Sequence, residues 1–90
     1  MEHLTAYVFT TKGIVYHKQP ILRVIYDNDG DWQFLSRNDT LDIKDAILVS
    51  LDEILQIDNS LFNVVFSLNK GEIAFRVSIG SQWVINKCTS

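Results

Sequence analysis

The sequence predicts one α+β domain over residues 1–90, with a mostly antiparallel sheet of about five or six strands and one or two helices. Two apolar runs, 21–26 and 32–36, flank a short acidic segment that contains a glycine, which is typical of a β-hairpin. Ser50 and Glu53 form a capping-box pair at the start of an apolar helical pattern. A length of 90 residues permits one hydrophobic core and is too short for two domains.

The chain before the hairpin predicts two strands. Residues 4–10 alternate along the chain, which predicts a first strand whose two faces are both partly covered. The segment 10–13 predicts a turn because it is polar and ends in glycine. Residues 14–16 are apolar and partly β-branched, so they predict a second short strand, and Pro20 limits its length.

The hairpin is the clearest local signal. Its turn, residues 27–31, is built from Asp, Asn and Gly, which accept positive φ or hydrogen-bond their own backbone. The period of two along a strand places Trp32 and Phe34 on one face of the sheet. Residues 37–44 predict a polar connection to the second half of the chain.

Two helices are predicted after the hairpin. The first begins at Ser50 and ends near residues 58–59, with an apolar stripe facing the core. The second covers residues 61–68, where apolar residues recur at helical spacing. Residues 64–66 favour strands, so a strand is the alternative interpretation of this segment.

The last part of the chain predicts two more strands. Residues 69–71 end the second helix because they are polar and include a glycine. Residues 73–78 alternate between apolar and polar or small side chains, which predicts a strand. Residues 80–81 predict a turn into a final strand over residues 82–86.

Composition predicts a soluble cytoplasmic protein. Cys88 is the single cysteine of the chain, so no internal disulfide can form and a reducing compartment is favoured. The first residues lack the basic and apolar regions of a signal peptide, and no run of 18 apolar residues occurs. We therefore expect neither export nor a membrane span.

Charge is unevenly distributed along the chain and predicts a basic protein partner. Residues 27–58 hold nine acidic and two basic residues, although the net charge of the chain is only −3. Such a segment argues against nucleic acid, because phosphate binding needs a basic surface. It suits a basic protein, while the alternative is that acidic loops only keep a small domain soluble. The predicted partner-binding residues are Asp27, Asp29, Asp31, Trp32, Asp39, Asp42, Asp45, Asp52 and Glu53.

No catalytic, metal or cofactor site is predicted. Aligning residues 27–31 with a calcium-binding loop puts Trp32 at the glycine position and Asn38 at the glutamate position. Two histidines and one cysteine lack zinc-site spacing, and a cysteine near the chain end lacks the fixed geometry of a nucleophile. Glycine-rich phosphate loops and serine-nucleophile motifs are absent from the sequence.

The hairpin segment 24–35 resembles a family of small bacterial proteins marked by the sequence DGDWQFL, here Asp29 to Leu35. Residues 49–61 and 71–76 extend the resemblance, although Asn59 replaces a proline that is common in the family and Phe75 a tryptophan. The family, a former domain of unknown function, is classed as predicted immunity proteins of polymorphic toxin systems. The resemblance implies a non-enzymatic protein that neutralises a cognate toxin.

The sequence therefore favours one function and leaves one alternative. The first is an immunity protein that binds its toxin through the acidic surface. The alternative is a small-ligand or regulatory module whose aromatic residues line a pocket instead of the core. The aromatic residues concerned are Trp32, Phe34, Phe75 and Trp83.

Overall fold

Six β-strands form one mixed sheet in the computed structural model, which describes residues 6–36 and 44–87. In chain order the elements are β1 (Tyr7–Thr11), α1 (Lys12–His17), β2 (Arg23–Tyr26), β3 (Trp32–Leu35), β4 (Ala46–Ser50), α2 (Leu51–Ile57), α3 (Leu61–Ser67), β5 (Glu72–Phe75) and β6 (Val84–Lys87). The strands lie in the order β4-β1-β3-β2-β5-β6. β1 and β3 are parallel and the other neighbouring pairs are antiparallel, which confirms the predicted α+β fold.

The predicted hairpin is confirmed as β2 and β3. Asp27 organises its turn: the carboxylate Oδ1 accepts hydrogen bonds from the backbone N–H groups of Asp29 at 2.9 Å and Asp31 at 3.0 Å. Gly30 has φ +89°, a left-handed conformation that glycine adopts without steric cost. The turn therefore depends on an aspartate that accepts hydrogen bonds and on a glycine with positive φ.

Both helices predicted after the hairpin are confirmed. The Ser50 side chain accepts a hydrogen bond from the Glu53 N–H at 3.2 Å, so the capping residue begins α2 as expected. The segment that allowed either a helix or a strand is helical, and it forms α3. Each helix buries an apolar stripe against the sheet, consisting of Leu51, Ile54 and Leu55 in α2 and Leu61, Val64 and Val65 in α3.

The prediction of a strand at residues 14–16 is wrong, because this segment lies in α1. The Thr11 side chain caps the helix by accepting a hydrogen bond from the Ile14 N–H at 3.3 Å. The Gln19 side chain then folds back over Gly13, into space that a Cβ atom there would occupy. Capping and this close contact outweigh the β propensity of a short segment. The described residues thus hold three helices, where one or two were expected.

Strand limits also differ from the prediction. β5 ends at Phe75, before the expected limit at residue 78, and β6 runs from Val84 to Lys87 instead of over residues 82–86. β1 extends to Thr11, while the start predicted at residue 4 lies outside the described residues.

The core lies between the helices and one face of the sheet. Val8, Val24, Phe34 and Ala74 are fully buried there, and they come from four strands. The sequence did not decide whether the aromatic residues belong to the core or to a pocket, and the structure places them at different depths. Phe34 belongs to the core, Trp32 is 7% exposed and Phe75 is 37% exposed on the other face. Partly buried Trp83 packs against the core from its edge.

Strand register defines two ends of the sheet. Tyr26 pairs with Trp32 and with Glu72, so the β2–β3 turn and the start of β5 lie at one end. The parallel pairing of β1 with β3, and the antiparallel pairing of β1 with β4, place Ser50 at the same end. We call this the turn end. α1 and the start of β4 lie at the other end, which we call the α1 end.

Candidate partner-binding surface

The turn end brings together five of the predicted partner-binding acids. Asp29 and Asp31 are exposed in the hairpin turn, and Asp52 and Glu53 are exposed in the first turn of α2. Acidic side chains are favourable at a helix N-terminus because they interact with the unpaired N–H groups there. Asp27 is the fifth acid, but its Oδ1 atom is occupied by the turn hydrogen bonds.

The other predicted residues are not part of this exposed group. Asp45 is exposed at the α1 end, where its carbonyl accepts a hydrogen bond from the Lys12 N–H at 2.9 Å. Asp39 and Asp42 lie outside the described residues. Trp32 is buried, and its ring stacks on Tyr26 with centroids 4.0 Å apart. A buried tryptophan stabilises the end of the hairpin and offers a partner little surface.

A cavity of about 310 Å³ adjoins the acidic turn. Tyr26 and Trp32 form an aromatic wall, while Phe66 and Lys70 contribute from α3 and the turn after it. The Lys70 Cε atom lies 3.4 Å from the position that a Cβ atom on Gly30 would take. A cationic side chain therefore lies against the acidic turn, and the pairing of β2 with β5 brings it there.

Charges are segregated between the two ends of the sheet. At the turn end the described charged residues are six acids and two bases: Asp27, Asp29, Asp31, Asp52, Glu53, Glu72, Lys70 and Lys87. At the α1 end they are five bases and two acids: Lys12, Lys18, Arg23, Lys44, Arg76, Asp45 and Asp58. The acidic surface therefore occupies one end of the domain, and the other end is basic. Sequence reasoning missed this division because it depends on strand register.

Asp58 lies at the α1 end, away from the acidic surface, and forms an ion pair with Arg76. Arg76 is 5% exposed, and its Nη2 lies 2.6 Å from Asp58 Oδ2. Nε and Nη2 also donate to the Ile21 carbonyl at 3.2 and 2.9 Å, and Nη1 donates to the Ser60 hydroxyl at 3.3 Å. The guanidinium carbon lies 4.3 Å from the Trp83 ring centroid. The ion pair joins β5 to the chain before β2 and to the α2–α3 connection.

Burial and hydrogen bonding act in opposite directions on the Asp58 carboxylate. Burial alone raises its pKa, but hydrogen bonds from Ser60 and Arg76, together with the Arg76 charge, lower the pKa below the ordinary value. The carboxylate is thus held ionised by its partners. Arg76 thus pairs with an aspartate of the acidic segment 27–58.

The described ranges 6–36 and 44–87 hold no group of three His, Cys, Asp or Glu side chains that could bind a metal ion. They also contain no helix long and apolar enough to cross a membrane. No protein-family model matches the chain, and no significant similarity is found to a curated protein or to a solved structure. The resemblance of the DGDWQFL segment therefore stays a prediction.

Proposed function

We propose that this chain is a non-enzymatic immunity protein that binds and neutralises a basic toxin through the turn end of its sheet. The observation that carries the proposal is the exposed acidic group formed by Asp29, Asp31, Asp52 and Glu53. No cation of the described residues forms a salt bridge with these four carboxylates. Asp52 accepts a side-chain hydrogen bond from Gln56 at 3.0 Å, and all four residues are exposed, so their negative charge is accessible to an approaching partner.

Electrostatics explains what such a group does for binding. Several like charges at one end of a small domain produce a field that attracts a positively charged surface and orients it before contact. Complementary charge raises the association rate and disfavours partners of the wrong sign. The basic α1 end would repel the same partner, so the charge division favours one orientation of docking.

The DGDWQFL resemblance supports a toxin as the partner. Asp29 and Asp31 are the two aspartates of that segment, so the motif and the exposed acidic group coincide. Toxins that act on nucleic acid need a basic surface, and an acidic protein can cover that surface and exclude the substrate.

Charge reversal tests the proposal in cells. The chain is co-expressed with each candidate toxin found among the products of neighbouring genes, and growth is recorded for the wild type, for the double variant Asp29→Lys/Asp31→Lys, and for Asp45→Lys. All three replaced acids are exposed, but Asp45 is at the α1 end. We expect the double variant to lose protection and Asp45→Lys to keep it. Equal protection by all three proteins would contradict docking at the turn end.

The cavity beside the turn supports a second candidate, a small-ligand module. Its volume of about 310 Å³ is at the lower end of the range for ligand sites, and Tyr26 and Trp32 offer an aromatic wall. Tryptophan fluorescence during titration with a metabolite library separates the two functions. A shift in emission with a metabolite would favour the ligand module, and a response to the toxin alone would favour the immunity protein.

A further inference from the structure

A groove lies at the α1 end, opposite the acidic group. It has a volume of about 490 Å³, which is within the range of small-molecule sites. Its walls are aliphatic and come from α1, the chain before β2, the end of α2 and the β5–β6 connection. The wall residues are Ile14, Val15, Pro20, Ile21, Ile57 and Ile79. No aromatic ring lines this groove, so its walls suit a flexible hydrocarbon better than a planar ring.

The groove contains two charged groups, and only one of them can pair with a ligand. Asp58 already accepts hydrogen bonds from Arg76 at 2.6 Å and from the Ser60 N–H and hydroxyl at 3.0 and 2.6 Å. Lys18 forms no hydrogen bond or ion pair through its ammonium group with any part of the chain that the structure describes. Within the groove, the charge that remains for a ligand is therefore positive.

Lys18 also has an unusual backbone conformation. It is the C-cap of α1 with φ +56°, and it is the one non-glycine residue with positive φ among residues 6–36 and 44–87. Glycine is the common residue where a helix ends in this conformation, because it has no Cβ atom to clash. A lysine at such a position, on the lining of this groove, is a backbone outlier that points to a function for its side chain.

We propose that this groove binds a free aliphatic monocarboxylate, such as a medium-chain fatty acid. The hydrocarbon tail lies against the aliphatic walls, and the carboxylate pairs with the Lys18 ammonium group. The surplus of basic residues at the α1 end favours an anionic ligand. A free acid is favoured over a membrane surface because membranes are bound by clusters of several basic residues, whereas Lys18 is the one cation in the groove. This site is distinct from the turn end and does not depend on the proposed toxin binding.

Titration of the ¹⁵N-labelled full chain with decanoate, followed by NMR, tests the inference. We expect amide shifts at residues 14–21, 57 and 79. Lys18→Gly removes the cation and suits the positive φ, so the variant should fold and should bind decanoate about tenfold more weakly. Lys12→Ala, which removes a cation at the same end but outside the groove lining, should bind within about twofold of the wild type.

Neutral and cationic ligands of the same length complete the test. Decanol and decylammonium should bind more weakly than decanoate to the wild type, and decanoate should lose its advantage over decanol in Lys18→Gly. Equal binding of decanoate and decanol to the wild type would overturn the inference, as would unchanged decanoate binding by Lys18→Gly. Flotation with phosphatidylglycerol vesicles should leave the protein unbound. Vesicle binding that requires Lys18 would overturn the free acid as the ligand and would indicate that the groove binds an anionic membrane surface.

Discussion

Replacing Arg76 by methionine should cost this domain a large part of its stability. The variant keeps an apolar side chain of similar length and removes every guanidinium hydrogen bond, including the 2.6 Å contact with Asp58 and both donors to the Ile21 carbonyl. Removing one partner of a buried ion pair costs about 3–5 kcal/mol. Asp58 keeps 18% of its side chain exposed, so water can partly solvate the stranded carboxylate. We therefore expect a loss of about 3 kcal/mol.

Urea denaturation at pH 7, followed by circular dichroism, measures this loss as a change in the free energy of unfolding. The matched control is Lys87→Met, which makes the same change of charge at an exposed position and should alter stability by less than about 0.5 kcal/mol. A loss below about 1 kcal/mol for Arg76→Met would refute the reasoning, because it would mean that the ion pair only offsets its own desolvation.

Three further predictions concern local features. Ser50→Ala should cost about 1 kcal/mol in thermal unfolding because α2 loses its N-cap, and an unchanged melting temperature would exclude that role. The lowered pKa of Asp58 means that its stabilisation is present above pH 3.8 and is lost as the pH falls through the folded-state pKa. Asp58→Asn should flatten this acid-side dependence in denaturation series between about pH 2 and 5, and an unaltered profile would contradict it. Gly30→Ala and Gly80→Ala should each cost about 1 kcal/mol in urea denaturation because both glycines have positive φ, and a neutral Gly80→Ala would show that its turn rearranges.

Local signals were sufficient to predict the hairpin and both later helices. The turn at Asp27 and the cap at Ser50 each involve hydrogen bonds between residues only two to four positions apart, so the sequence contains both partners side by side. α1 was missed although its cap is local: the Thr11 side chain accepts a hydrogen bond from the Ile14 N–H, but position 14 lacks the Glu or Gln of a capping box, and residues 14–16 have β propensity. Burial of Ile14 and the folding of Gln19 over Gly13 decide between helix and strand there.

The candidate surface was only partly predictable for a related reason. Asp58 and Arg76 are 18 positions apart, and nothing local indicates that they meet. The sequence placed Asp45 with the other acids because it is close to them along the chain. The antiparallel pairing of β4 with β1 instead puts Asp45 and Asp52 at opposite ends of the sheet. The count of charges along the chain therefore predicted an acidic surface, but it did not indicate which of the acidic residues lie on that surface.

An NMR map of the complex with the candidate toxin, recorded on the ¹⁵N-labelled chain, tests docking at the turn end. If the toxin docks there, the largest amide shifts fall on residues 29–31 and 52–53, and they diminish with the double charge reversal at Asp29 and Asp31. Shifts centred on Asp45, or on the groove residues 14–21, would contradict docking at the turn end.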